Sequence, residues 1–106
     1  MKPSVSNSEL TRVVKMQFKP EKVKEFLDII QEKKEKIRAF EGCTYFELYT
    51  DKKTPGLFFT YTKWRSEADL EVYRHSELFQ ATWSRTKLLF SEKPLAWSLH
   101  SIIAIS

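Results

Sequence analysis

Hydrophobic and polar positions alternate through residues 10–18 (LTRVVKMQF), with Val14, Met16 and Phe18 on one side and Arg12 interrupting that side. A period of two marks a half-buried strand, so a strand is expected here with one charge where an apolar residue belongs. The period then changes. Val23, Phe26, Leu27, Ile30 and Ile37 recur at helical spacing behind Pro20, which a first helical turn accepts, and Gly42 offers a C-terminal stop. Residues 43–51 (CTYFELYTD) and 57–64 (LFFTYTKW) are rich in β-branched and aromatic side chains and flank a Pro55-Gly56 turn, which predicts a hairpin with a longer loop. Ser66 with Asp69 three residues on is a capping pattern for a short helix reaching about His75. Ser76 opens another helical run with Phe79, Trp83, Thr86 and Phe90 as its apolar stripe, closed by Pro94. Residues 95–105 alternate again, with Trp97, Leu99, Ile103 and Ile105 on one side and Ala96, Ser98, His100 and Ala104 mostly on the other.

The order strand, helix, strand, strand, helix, strand is the α+β, ferredoxin-like βαββαβ plan with a four-stranded antiparallel sheet. In that plan the helices cover one sheet face. The strands here are apolar on both: Val13 opposes Val14, Phe58 opposes Phe59, and Tyr45 and Tyr49 oppose Phe46 and Leu48. The face away from the helices would then carry more apolar surface than soluble monomers expose. A second copy stacked about a twofold axis is the simplest cover, so a homodimer is expected.

Composition narrows the classes. The chain has 106 residues, enough for one domain; residues 1–8 are expected to form a flexible polar tail and residues 9–106 the folded unit. The lone Cys43 cannot form an internal disulfide, and no Cys/His cluster has metal-ligand spacing, so no metal and no disulfide scaffold is expected. Without an apolar run of the roughly 20 residues that a membrane span needs, or a signal-like start, a soluble cytoplasmic protein is expected, with no membrane partner. Lys plus Arg number 18 against 14 Asp plus Glu, a net charge of +4. That balance favours an anionic ligand mildly and falls short of a nucleic-acid-binding patch. On the first helix Glu21, Lys22, Lys24, Glu25, Asp28, Glu32, Lys36 and Arg38 alternate in sign as a solvated face. Three Trp, four Tyr and eight Phe are many for a chain of this length.

Gly42-Cys43 opening the second strand, followed by Tyr45, Phe46 and Leu48, and then Trp64, Ser66, Leu70, Ser76 and Phe79 at their observed spacing, give this chain a resemblance to the antibiotic-biosynthesis monooxygenase (ABM) family of the dimeric α+β barrel superfamily. The resemblance spans about residues 10–100. The second group resembles the pattern W-x-S-x-x-x-L-x-x-H-x-x-S-x-x-F, with Tyr73 at the histidine position, His75 two residues on, and Thr62 where an acidic residue often precedes the tryptophan. It implies a monooxygenase that uses no cofactor and acts with dioxygen on a small phenolic or quinol-type aromatic. The haem-degrading branch is not implied, because its asparagine, tryptophan and axial histidine would fall at Val14, Tyr73 and Trp83.

Such chemistry needs an apolar pocket, a base and donors for a developing charge. His75 is the candidate base, since an imidazole titrates near neutrality, against the alternative of a surface residue before the Ser76 cap. Tyr73 either donates its hydroxyl to an oxyanion or packs against Leu70. Trp64, Phe79 and Trp83 are candidate substrate-binding walls, with a core or interface role as the alternative, and His100 is a candidate where small neighbours leave space, against the alternative of a buried, hydrogen-bonded structural histidine. Arg85 could attract an anion. Cys43 reads as a small buried hydrophobe rather than a nucleophile. Two rival functions remain: a non-catalytic small-molecule-binding or stress-related barrel, and an RNA-recognition module of the same topology. The second is disfavoured by Leu57 at the first stacking position.

Overall fold

The computed structural model describes residues 9–106. The expected tail at 1–8 lies outside them. Strand β1 (Leu10–Gln17) leads through a 3-10 turn at Pro20–Lys22 into helix α1 (Val23–Arg38). The hairpin β2 (Cys43–Thr50) and β3 (Leu57–Trp64) follows, then α2 (Glu67–Arg74), α3 (Glu77–Thr86), a 3-10 turn at Lys87–Leu89 and β4 (Leu95–Leu99). The strands form one antiparallel sheet in the order β2-β3-β1-β4, the ferredoxin-like arrangement, with the expected second helical segment divided into α2 and α3.

Helix α1 buries Phe26, Ile29 and Ile37. Successive residues are 100° apart on a helix, so the stripe through 26, 30 and 37 takes Ile29 inward and turns Leu27, expected in the core, outward. The helix stops at Arg38, before Gly42. Gly42 instead adopts φ +91° in the turn entering β2, where an added Cβ would lie 2.4 Å from that of Asp69. A register shift between Cys43 and Tyr45 turns Cys43 toward the helices and leaves Tyr45 on the opposite face. Both caps expected for the shorter helices form: Ser66 Oγ accepts from Asp69 N–H at 3.1 Å, and Ser76 Oγ accepts from Phe79 N–H at 3.1 Å.

Two expectations near the C-terminus are corrected. Phe90 lies beyond α3, bridging backbone to backbone with Phe18, while Leu89 takes the buried place. Strand β4 ends at Leu99 rather than Ile105, because its only neighbour β1 begins at Leu10 and the last pair is Thr11 with Leu99. Ile102, Ile103 and Ile105 are exposed.

The core is two clusters. Met16, Phe18, Phe26, Ile29, Phe58 and Leu89 form one. Leu10, Cys43, Trp64 and Leu70 form the other, with Phe40 and Tyr73 packed against it. Between them the helix-facing rows of the sheet read Phe46, Thr62, Arg12, Ser98 and Leu48, Thr60, Val14, Ala96 across the four strands. These rows are short of large apolar groups at their centre. The opposite sheet face is bare, with Tyr45, Tyr49, Leu95, Trp97 and Leu99 exposed and Tyr61 edge-on to both tyrosines. There Glu47 accepts from the hydroxyls of Tyr45 and Tyr49, and Lys63 Nζ stands 5.8 Å from the Tyr45 ring centroid.

Candidate functional site

Where the two clusters fail to meet, a cavity of about 350 Å³ opens between the sheet and the helices. Its floor is the pair of rows just described, contributing Arg12, Val14, Phe46, Thr60, Thr62 and Ala96. Helix α1 supplies Phe26, Ile30 and Ile37, α2 supplies Leu70, Tyr73 and Arg74, and α3 supplies Phe79, Thr82, Trp83 and Thr86.

One wall is backed by a run of aromatic rings in contact. Tyr73 lies 4.9 Å from Trp64 and edge-on to Phe79 at 5.3 Å; Phe79 stacks on Trp83 at 5.9 Å, and Trp83 reaches Phe90 at 5.5 Å. The Ser76 hydroxyl, donating to the Tyr73 carbonyl at 2.6 Å while capping α3, fixes the corner from which Tyr73 and Phe79 project together.

The donors in this cavity are few. Thr82 and Thr86 give their hydroxyl protons to carbonyls one helical turn back, both at 2.8 Å, and Thr62 accepts the Trp64 indole N–H at 2.9 Å. The Tyr73 hydroxyl has no hydrogen-bond partner among the described residues, and burial, with the Cys43 thiol acting in the same sense, pushes its phenol well above the ordinary range. It stays protonated, with its O–H proton available to donate. Arg12 Nη1 donates to Ser98 Oγ at 2.9 Å, and Arg74 Nη1 to Glu71 Oε1 at 2.8 Å. Burial, then the charge of Arg74, lowers the Arg12 guanidinium from its usual value, with Glu71 opposing.

Three of the six sequence candidates meet at this cavity: Tyr73, Phe79 and Trp83. Trp64 is fully buried in the neighbouring cluster and supports Tyr73 from behind. His75 is exposed at the end of α2, its Nδ1 2.9 Å from the Glu71 carbonyl, and does not line the cavity. His100, one residue beyond β4, is exposed with Nδ1 3.0 Å from the Glu9 carbonyl. The small-residue side of β4 does border the cavity through Ala96, but the strand ends before His100. Arg85 pairs with Glu32 on the surface. Cys43 is buried, which raises its thiol. Arg74, Thr60 and Thr62 also line the cavity with no chemical signal in the sequence to single them out, and the one signal at Arg12 is its break in the β1 alternation. Among the described residues no His, Asp or Glu lines the cavity, and no group of three or more potential metal ligands occurs.

A model of the antibiotic biosynthesis monooxygenase family matches residues 10–84. The chain belongs to this family. The match ends inside α3, so every cavity residue but those around β4 and Thr86 falls within it. A protein of Pestalotiopsis microspora named "Putative monooxygenase GME11364" is 34% identical over 56 residues, 53% of this chain and 47% of that protein, so the chain matches about half the length of that relative. Among solved structures, a conserved protein from Methanosarcina mazei Go1 superposes with a TM-score of 0.83 at 23% identity, covering 87% of this chain and 91% of that one. Rv0793 from Mycobacterium tuberculosis superposes with a TM-score of 0.85 at 17% identity, covering 93% and 100%. An antibiotic biosynthesis monooxygenase crystal structure gives 0.83 at 22% identity, covering 89% and 99%. At these identities the structures speak for the ABM fold.

Proposed function

We propose that this ABM-family chain is a cofactor-free monooxygenase that takes a small phenolic or quinol-type ring into the cavity and oxidises it with dioxygen. The carrying observation is the cavity itself, large enough for an aromatic compound, walled by Phe79 and Trp83, with its proton donors gathered at Tyr73 and the two arginines. Ionised phenols and their carbanions reduce dioxygen themselves, so the protein has to bind the ring, favour its anion and keep out bulk water. For a phenol-activated ring methylene the balanced change is CH2 plus O2 to C=O plus H2O. Four electrons leave the carbon; one oxygen atom stays on it and the other departs as water. In this reading Tyr73 donates to the developing oxyanion and Trp64 holds its ring in place. His75 caps a helix outside the cavity, so the proton leaves to solvent rather than to an imidazole. The functional unit is a homodimer whose bare sheet faces stack, a reading supported by the aromatic face around Tyr45, Tyr49 and Trp97.

Dioxygen uptake followed with a panel of hydroquinones and anthrones, chelator present, tests the activity. Wild-type protein is expected to support uptake on at least one compound, and Tyr73→Phe to slow it by a factor on the order of 10 to 100. No protein-dependent uptake on any of them would leave the ligand-binding barrel as the better reading, one that the lack of a His, Asp or Glu on the cavity wall among the described residues already favours as second choice.

A further inference from the structure

Arg12 stands where a strand should present an apolar side chain to the core. It lies in the helix-facing row between Thr62 and Ser98, and it lines the cavity. Arg12 is half-buried there, so its guanidinium has given up part of its hydration and gains from a group that answers its charge. Among the described residues no carboxylate pairs with it, and its one side-chain hydrogen bond goes to the neutral Ser98 hydroxyl. That contact orients the group and leaves most of its five N–H donors unspent. The second cation on the same wall, Arg74, works against Arg12, and the acid that faces both, Glu71, is already bonded to Arg74. Of the other ionisable groups on that side, Tyr73 is held neutral by burial.

We infer that Arg12 and Arg74 form an anion-recognition subsite in the cavity wall, selecting an aromatic ring that carries one anionic oxygen group, a carboxylate or an ionised phenol. The planar fork of Arg12 suits two oxygens of one group or one oxygen held by two N–H bonds, while the ring lies against Phe79 and Trp83. Glu71 offsets part of the field from outside the wall, and among the described residues no acidic side chain lines the cavity itself. This rests on the reading that the cavity receives an aromatic ring, and it identifies which rings.

Calorimetric binding of 2-naphthoate and of the neutral 2-naphthamide, together with the visible titration of 4-nitrophenol in the presence of excess protein, separates the possibilities. Wild type should bind naphthoate about tenfold or more tightly than naphthamide. Arg12→Gln should bring the two within about twofold while keeping naphthamide affinity, and Arg74→Gln, at an exposed side chain, should remove part of the preference. Arg12→Lys keeps the charge without the fork and should retain part of it; with Arg74→Gln it decides the matter should Arg12→Gln fail to fold. A fall in the pKa of bound 4-nitrophenol assigns the subsite to ionised phenols; naphthoate preference without that fall assigns it to carboxylates, and either supports the inference. Equal affinity for naphthoate and naphthamide in wild type with 4-nitrophenol unshifted would overturn the inference alone. Binding of none of the three probes would overturn the aromatic-cavity reading and the inference with it.

Discussion

Replacing Thr60 with isoleucine should make the protein more stable and worse at binding. Thr60 is half-buried on the cavity floor between Val14 and Leu48, and among the described residues its hydroxyl makes no hydrogen bond. The substitution exchanges that hydroxyl for an ethyl group and keeps the β-branching that suits a strand. Two added carbons at about 0.8 kcal/mol each set an upper limit near 1.6 kcal/mol, and incomplete contact inside a cavity brings the expected gain to about 1 kcal/mol. For a domain of this size that raises Tm by roughly 4–8 °C. The added group takes up a small part of the about 350 Å³ available, so overpacking is not expected. Thermal unfolding at fixed protein concentration reads the first effect, and naphthoate affinity, expected to fall several-fold, reads the second. Thr60→Val, which changes the hydroxyl alone, should move Tm little. Should Thr60→Ile destabilise by about 1 kcal/mol or more, the space between the two core clusters is not there, and the site built on it fails.

The pH dependence of stability has a definite sign at Asp69. Its hydrogen bonds from Arg65, and then from Ser66, hold the carboxyl below its ordinary value, so its contribution is present above the unfolded pKa of about 3.9 and is lost as pH falls through the lower folded value. Urea midpoints measured down the acid limb should fall less steeply for Asp69→Asn than for wild type; identical slopes would refute this assignment. Sedimentation should give wild-type protein at twice 12.6 kDa at micromolar concentration and Trp97→Lys as a monomer, whereas a wild-type monomer would refute the stacked sheets. His75→Ala and His100→Ala should each leave naphthoate affinity within about twofold of wild type, since both rings lie outside the cavity.

Element type was legible because it rests on local rules. Alternation marked β1, richness in β-branched and aromatic residues around a Pro-Gly turn marked β2 and β3, and the serine hydroxyls at 66 and 76 announced two helix starts that the structure repeats to the residue. What failed depends on distant partners. The alternation of residues 95–105 continues past Leu99, yet a strand needs a neighbour to pair with, and β1, which begins at Leu10, makes its last pair with β4 at Thr11. That is why His100 falls outside the cavity while Ala96, four residues earlier on the same alternation, borders it. Phe90 kept helical spacing with Trp83 and still left the helix, because the 3-10 turn at Lys87–Leu89 gives Leu89 the buried place and hands Phe90 to Phe18.

The site was half legible for a related reason. Aromatic residues announce themselves, so Tyr73, Phe79 and Trp83 could be picked out before their meeting place was known. A cavity is made by what is missing, and its sequence signature is a helix-facing position too small or too polar for the core it should fill. Thr60, Thr62 and Arg12 are such positions, each on the inward side of its strand, and the register sets Thr62 beside Arg12 in one row and Thr60 in the next. The irregularity at Arg12, which weakens the case for a strand when local alternation alone is weighed, becomes the strongest pointer to the ligand once the sheet places it under the helices. A half-buried cation whose only side-chain hydrogen bond among the described residues goes to a neutral hydroxyl, at the edge of a void that no acidic side chain lines, has lost hydration that an anion in the cavity would restore.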